Sequence, residues 1–334
     1  MVYKPLFILQ PYMDIFTHQF IGILTGLFSL KVLSPEAIIL LWIMTFIPDF
    51  DIFLEPLRRK RNSYFLSHKA ASHSYIIGLL FTGVVSFIVS LIRTTLFIEI
   101  WFAAFIGYSI HIMLDFLTAS KVPLFYPITK REYRLLVDRT INPILMFFSI
   151  INIFLLIIYF FTNPYYHIFM ALATFYLYCY LIYFGIRILL RVFIQFALPK
   201  NAHYIPNFIP FFYYIYKSDS TLDKLNFKVS KGSIFSLRKK TVLTNDIAKN
   251  STNMKYYERA KELGKDFRFF HKWSYIIPLF RENQEKINII FILCEALSRK
   301  NSYFLSVIID KTSNNVISKE EGFGPFKNWE NPSF

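Results

Sequence analysis

Cysteine and charge are both scarce. The 334 residues include two cysteines, Cys179 and Cys294, with no CxxC spacing, which argues against a disulfide framework and against a cysteine-held metal. Charged residues make up 18%, where a soluble domain carries about 25%. Residues 1–13 lack a small-residue cleavage site and are not read as a signal peptide; Met13 is an alternative start. Acidic charge is the rarer sign, so the net charge is +15. In a soluble chain that balance would direct attention to nucleic acid. Here the basic residues gather at the ends of apolar runs and in the last third of the chain. Membrane topology and anionic headgroups account for them first, and no nucleic-acid partner is expected.

What the chain has in abundance is apolar sequence. Hydrophobic residues make up 54%, with 39 Phe and 22 Tyr. Runs near the ~20 residues needed to cross a bilayer occur at 15–33, 36–54, 73–92, 97–118, 141–161 and 165–190. The loop after the second holds Arg58, Arg59, Lys60, Arg61 and Lys69; the loop after the fourth holds Lys121, Lys130, Arg131, Arg134 and Arg139; the sixth runs into Arg187, Arg191 and Lys200. The alternate loops are nearly neutral. Basic loops stay in the cytoplasm, so the expected arrangement is a multi-pass cell-membrane protein with both termini cytoplasmic. The expected fold is an all-α polytopic membrane domain, residues 1–198, of about six transmembrane helices, with a small C-terminal α+β cytoplasmic domain over residues 199–334. Within that tail, Phe211–Tyr216, Leu225–Val229, Ser233–Leu237, Ile287–Leu293 and Tyr303–Ile309 read as strands and Thr252–Arg268 as a helix. The partner of the tail is not identified by its sequence.

Ionisable groups inside a membrane are costly and mark function by default. His18, His68, His73 and His111 all fall in the first 111 residues, together with Asp49, Asp51 and Asp115. The topology brings every one to the same face of the membrane, although neither histidines nor acids were used to set the orientation. His111 and Asp115, four apart on a helix, point to one side. Asp49 and Asp51 flank Phe50 and suit one centre or two. Singly, each has a plain reading: His18 as a polar helix end, Asp49 and Asp51 as a solvated helix exit, His111 and Asp115 as an interhelical hydrogen-bonded pair or part of a proton relay. Together they suit a divalent metal. Imidazole and carboxylate without thiolate fit Zn²⁺, Mn²⁺ or Fe²⁺, and a site with several of each has room for two ions.

Five short segments carry a resemblance. They are Asp14-Ile-Phe-Thr-His18 through Gly22, Pro48-Asp49-Phe-Asp51, Ser67-His68-Lys-Ala-Ala-Ser-His73-Ser74, His111-Ile-Met-Leu-Asp115 through Thr118, and Val122-Pro-Leu-Phe-Tyr-Pro127. In this order they resemble the membrane-bound metal-dependent hydrolases (the YdjM-like inner-membrane proteins). The chain has Lys69 where that family usually has Arg, and Ser72 where Thr precedes the second histidine; neither changes a ligand. The family is similar, more distantly, to zinc-dependent phospholipase C. That likeness implies Asp51, His73, His111 and Asp115 as ligands of one ion, zinc in type, with His18 and a bridging Asp115 contributing to a second. It leaves His68 to bind a phosphate or act as general acid, and Asp49 to orient a ligand histidine.

The expected function is therefore that of a hydrolase using metal-activated water at the cytoplasmic face. Its partners would be membrane lipids and an amphiphilic phosphoester substrate, a phospholipid or another lipid-linked phosphate, attracted by Lys69 and Arg58–Arg61. Two other classes stay open: a metal or proton transporter, and a non-catalytic membrane scaffold with a structural metal.

Overall fold

The computed structural model describes residues 15–54, 57, 64–66, 69–92, 96–162, 166–265, 273–298 and 301–325. They form two compact units, one ending at Arg187 and the other beginning at Ile188. The division falls inside a long helix, upstream of the Pro199 junction read from the sequence.

In the first unit each apolar run becomes helical: α1 (Ile15–Ser29), α2 (Pro35–Met44), α3 (Tyr75–Ile92), α4 (Phe97–Leu117), α5 (Pro143–Thr162) and α6 (Tyr166–Ala197). They are not equivalent. α3 to α6 are each long and apolar enough to cross a membrane. α2 continues, after a 45° bend, into a 3₁₀ segment, Ile47–Leu54, and that pair is a fifth candidate span. α1, at 15 residues, is shorter. Thus, among the described residues, four helices qualify as spans, or five if the bent pair is one. The bend has a local cause. Pro48 has no N–H to give to the helix and disfavours helical geometry at the residue before it, so the chain leaves α2 and tightens into the 3₁₀ turn. At the other end, Pro35 occupies the first turn of α2 and the Ser34 hydroxyl accepts the Ala37 N–H at 3.4 Å, a standard start signal.

α2 and α4 pack through Ala37, Leu41, Ile100, Ala103 and Ala104. A Cβ at Gly107 would collide with the Leu41 carbonyl, so glycine is what lets the two backbones approach, as small residues do between membrane helices. α1 packs against α5 and α6 through Phe20, Leu24, Leu145, Tyr176 and Tyr180. Phe87, Phe147, Phe154 and Phe160 stay exposed on the outer faces, as lipid-facing side chains are.

The second unit is built mainly of strands. One antiparallel sheet has the order β1 (Ala202–Pro206), β2 (Phe212–Ser220), β3 (Lys224–Ser233), β4 (Ser236–Ala248); the other has β5 (Ile276–Glu282), β6 (Lys286–Leu293), β7 (Asn301–Asp310), β8 (Val316–Pro325). A single helix, α7 (Thr252–Gly264), lies between them in sequence. Ile205, Tyr214, Val229 and Leu243 from the first sheet share a core with Ile277, Ile290 and Ile292 from the second. The α+β expectation thus resolves into a two-sheet antiparallel β domain with one helix. Ser233–Leu237 is not one continuous strand: Ile234 and Phe235 form the turn, and Ser233 at the end of β3 pairs with Ser236 at the start of β4 to close the hairpin. β1, β5 and β8 have no counterpart in the sequence reading, and β4 is met only at Ser236 and Leu237. All four are edge strands, and β1 and β5 contain Pro206 and Pro278, which an edge tolerates and a sheet interior does not. The helix expected over Thr252–Arg268 ends at Gly264, and residues 266–272 lie outside the described residues.

Candidate metal centre

The stripe of α4 that packs on α2 continues one turn further as His111 and Asp115, both wholly buried. The other contributors come from the two 3₁₀ pieces. Asp49 and Asp51 lie in Ile47–Leu54, and His73 ends the short turn Ala71–His73 that leads into α3. One ligand atom from each of Asp49, His73, His111 and Asp115 falls within 4.8 Å of the other three, and all four residues are buried.

The hydrogen bonds around the two histidines fix which nitrogen faces this centre. His111 Nδ1 lies 2.8 Å from the Thr45 carbonyl oxygen. A carbonyl only accepts, so Nδ1 carries the proton and Nε2 presents a lone pair. The Ser72 hydroxyl donates to Asp51 Oδ2 and lies 2.9 Å from His73 Nδ1. With its one proton spent on Asp51, Ser72 accepts from His73 Nδ1–H, and His73 also turns Nε2 inward. Those two Nε2 atoms are 3.2 Å apart. Facing them are Asp115 Oδ2, 3.0 Å from His73 Nε2 and 3.9 Å from His111 Nε2, and Asp49 Oδ1, at 3.5 and 3.6 Å. Both carboxylate oxygens are buried and accept no hydrogen bond. Two lone pairs and two anionic oxygens converging away from water is an arrangement that demands a cation.

The donor set fits a divalent transition metal. Imidazole with a protonated, hydrogen-bonded far nitrogen is the usual form of a metal-ligating histidine, and two imidazoles with two carboxylates suit zinc and its neighbours.

The remaining sequence candidates fall into separate places. Asp51 Oδ2 is 3.5 Å from His73 Nδ1, on the outer side of that ring, and accepts the Lys69 N–H at 2.9 Å. His18 Nε2 lies 3.1 Å from Asp115 Oδ1, the oxygen turned away from the four-atom cluster, and its ring sits 4.4 Å from that of His111. His68 and Arg58–Arg61 lie outside the described residues. Three further contributors stand around the site, of which the sequence reading includes Lys69 only as an attractor of anionic substrate and does not include Tyr108 or Thr45. The buried ammonium of Lys69 lies 3.5 Å from Asp115 Oδ2, in a backbone conformation with φ 55°, and left-handed geometry in a residue other than glycine tends to mark functional sites. The Tyr108 hydroxyl donates to the Ser72 carbonyl, and the Thr45 carbonyl orients His111. Lys69 had a visible signal, since it sits between two motif histidines; a backbone carbonyl has none.

Residues 13–189, more than half of the chain, match the family described as YdjM inner membrane protein. No curated protein and no solved structure matches.

Proposed function

The chain belongs to the YdjM inner membrane protein family, and on that footing we propose that it is a membrane-embedded metal-dependent hydrolase acting on an amphiphilic phosphoester. The observation that carries this reading is the convergence of two imidazole lone pairs and two unbonded carboxylate oxygens on one buried point. Asp49, His73, His111 and Asp115 hold the ion in this reading. Asp51 and Ser72 orient His73, and His18 braces the outer oxygen of Asp115. Charge favours a single ion there. Asp49, Asp51 and Asp115 bring three negative charges and Lys69 one positive, so one divalent cation leaves the cluster neutral, as a buried site requires. Zinc is the best match to the ligand types. Such an ion, when bound, supplies Lewis acidity toward water and a phosphoryl oxygen. Lys69, already beside Asp115, offers a fixed positive charge to an anionic substrate oxygen. The lipid character of the substrate rests on the site's place among apolar helices, and its phosphoester character on the likeness to zinc-dependent phospholipase C.

The assay is direct. Purified protein loaded with zinc is expected to hydrolyse a chromogenic phosphodiester or a short-chain fluorescent phospholipid, to stop on chelation, and to recover when zinc is restored. Stoichiometric zinc with no turnover of any phosphoester would leave a structural or transport role in its place.

Six crossings and a cytoplasmic site are the topology we propose, with α1 and the bent α2 pair each completing a passage. The alternation of basic and neutral loops supports it. A cysteine placed at Glu132 is expected to react with an impermeant maleimide only from the cytoplasmic side, and one at Asn163 only from outside. Reversal of that pattern would put the site on the other face.

A further inference from the structure

The first sheet of the C-terminal unit carries its charge unevenly. At the β2–β3 turn, acids and bases are matched: Lys217 pairs with Asp219 and Lys224 with Asp246, at 2.7 and 3.2 Å. At the opposite end, around the β3–β4 hairpin, Lys231, Arg238, Lys239 and Lys240 are all exposed, and among the described residues no carboxylate pairs with any of them. Lys231 and Lys240 are direct cross-strand partners. Opposed like charges destabilise a sheet, so this end of the domain is arranged for an anion that the domain itself does not supply.

The same end is apolar at its tip. Phe235 is 75% exposed, and Phe211 and Ile234 are also exposed. The Phe211 and Phe235 rings meet at a tilt with centroids 5.3 Å apart, the Ile234 N–H donates to the Phe211 carbonyl at 3.1 Å, and the Lys231 ammonium sits 4.7 Å over the Phe212 ring. The hairpin is therefore a set aromatic knob ringed by four cations.

What such a knob meets is indicated by the helix that delivers the sheet. α6 is 32 residues long, or about 48 Å at ~1.5 Å per residue, which exceeds the ~30 Å hydrocarbon core and reaches through the headgroup layer. Its last turn is still apolar: Phe196 is 92% exposed. That turn is fastened to the sheet. Ile194 and Leu198 pack on Ala202, Tyr204, Tyr213 and Ile215, and the Gln195 side chain bonds the Ala202 carbonyl and the Tyr204 N–H at 3.0 and 2.9 Å. The first sheet is thus fastened to the apolar end of a helix long enough to cross the membrane.

We propose that the β3–β4 hairpin is a second membrane anchor, with Phe211, Ile234 and Phe235 entering the headgroup region and Lys231, Arg238, Lys239 and Lys240 binding anionic lipid. Aromatic residues favour that depth, and basic residues near an anionic surface are drawn to it electrostatically. The proposal needs α6 to be inserted but does not depend on the metal centre or on any hydrolysis.

The test uses the full chain in vesicles, with Cys179→Ala and an environment-sensitive fluorophore on Phe235→Cys. Cys294 is fully buried, and burial, with Glu295 beside it, raises its thiol pKa, so it does not compete for the label. Leu222→Cys, at the 93% exposed position of the β2–β3 turn, is the control. At position 235 a blue-shifted emission is expected, with quenching by brominated phosphatidylcholine that deepens when phosphatidylserine is added; position 222 is expected to show neither. Lys240→Glu, which places opposite charge across from Lys231 and so does not threaten the sheet, should abolish the phosphatidylserine dependence. Water-like emission at 235 would overturn the proposal. So would a blue shift without bromolipid quenching, which would mean that protein, including a second copy of the chain, covers the tip.

Discussion

Changing Asp49 to Asn is expected to lower metal affinity by more than the same change at Asp51, and His111→Ala or Asp115→Ala should abolish stoichiometric metal altogether. Loss of a group that only orients a ligand typically costs about 10–100-fold in affinity. Asp51→Asn belongs in that range, because its carboxylate reaches His73 only from the Nδ1 side and through Ser72. Asp49 Oδ1 faces both Nε2 atoms and accepts no hydrogen bond, so its replacement removes a ligand for which the surrounding apolar helices have no substitute. Elemental analysis gives the stoichiometry and competition with a chromogenic chelator gives the affinity. If Asp51→Asn empties the site while Asp49→Asn keeps its metal, the two acids have the opposite roles, as the sequence reading expected.

That pair shows where sequence reasoning stops. The gathering of His18, Asp49, Asp51, His73, His111 and Asp115 into one cluster was legible, because ionisable residues stand out against apolar runs. Which acid faces inward was not. In a 3₁₀ segment each residue turns about 120°, so Asp49 and Asp51 lie about 120° apart around the axis and only one of them faces a given centre. Helix bounds and the Pro48 bend decide which, and both are properties of tertiary packing. Lys69 shows the same limit: its charge was visible as a headgroup attractor, but its burial against Asp115 follows from a left-handed backbone at a residue where sequence gives no such cue.

In the tail the strongly apolar strands β6 and β7 were legible, as was α7. The edge strands were hidden by their composition. β8 reads Val-Ile-Ser-Lys-Glu-Glu-Gly-Phe-Gly-Pro, polar and glycine-bearing, as an exposed edge can be. The run Ser233–Leu237 misled in the opposite direction. Its apolar Ile234 and Phe235 look like strand interior, but they are turned outward at a hairpin tip, where burial in a core is not what selects them.

The second large effect is expected away from the metal. Asp138 and Arg187 are almost wholly buried, their charges 2.7 Å apart. Tyr183 donates to Asp138 Oδ2 at 2.6 Å, Asn142 donates to both carboxylate oxygens at 3.2 Å, and the Arg139 N–H reaches Oδ1 at 2.7 Å. Asp138→Ala strands the guanidinium of Arg187 inside the helix bundle, and breaking a buried pair from one side costs about 3–5 kcal/mol. Adding Arg187→Met to that variant removes the stranded charge and should restore most of the loss, since replacing both partners by apolar groups is often close to neutral. Thermal unfolding of the two variants in the same detergent reads the difference, the single change melting well below the double. Metal content is the second readout. Asp138 and His18 both line a small cavity of about 30 Å³, with Leu114, Thr118, Thr140 and Phe184, so the pair lies close to the metal centre without contributing to its four-atom cluster. The double variant should therefore keep its stoichiometric metal while it regains stability. Metal lost from a variant that still folds would make Asp138 part of the centre, and the network around Arg187 would then be the outer support of the site instead of a clamp between α6 and the loop before α5.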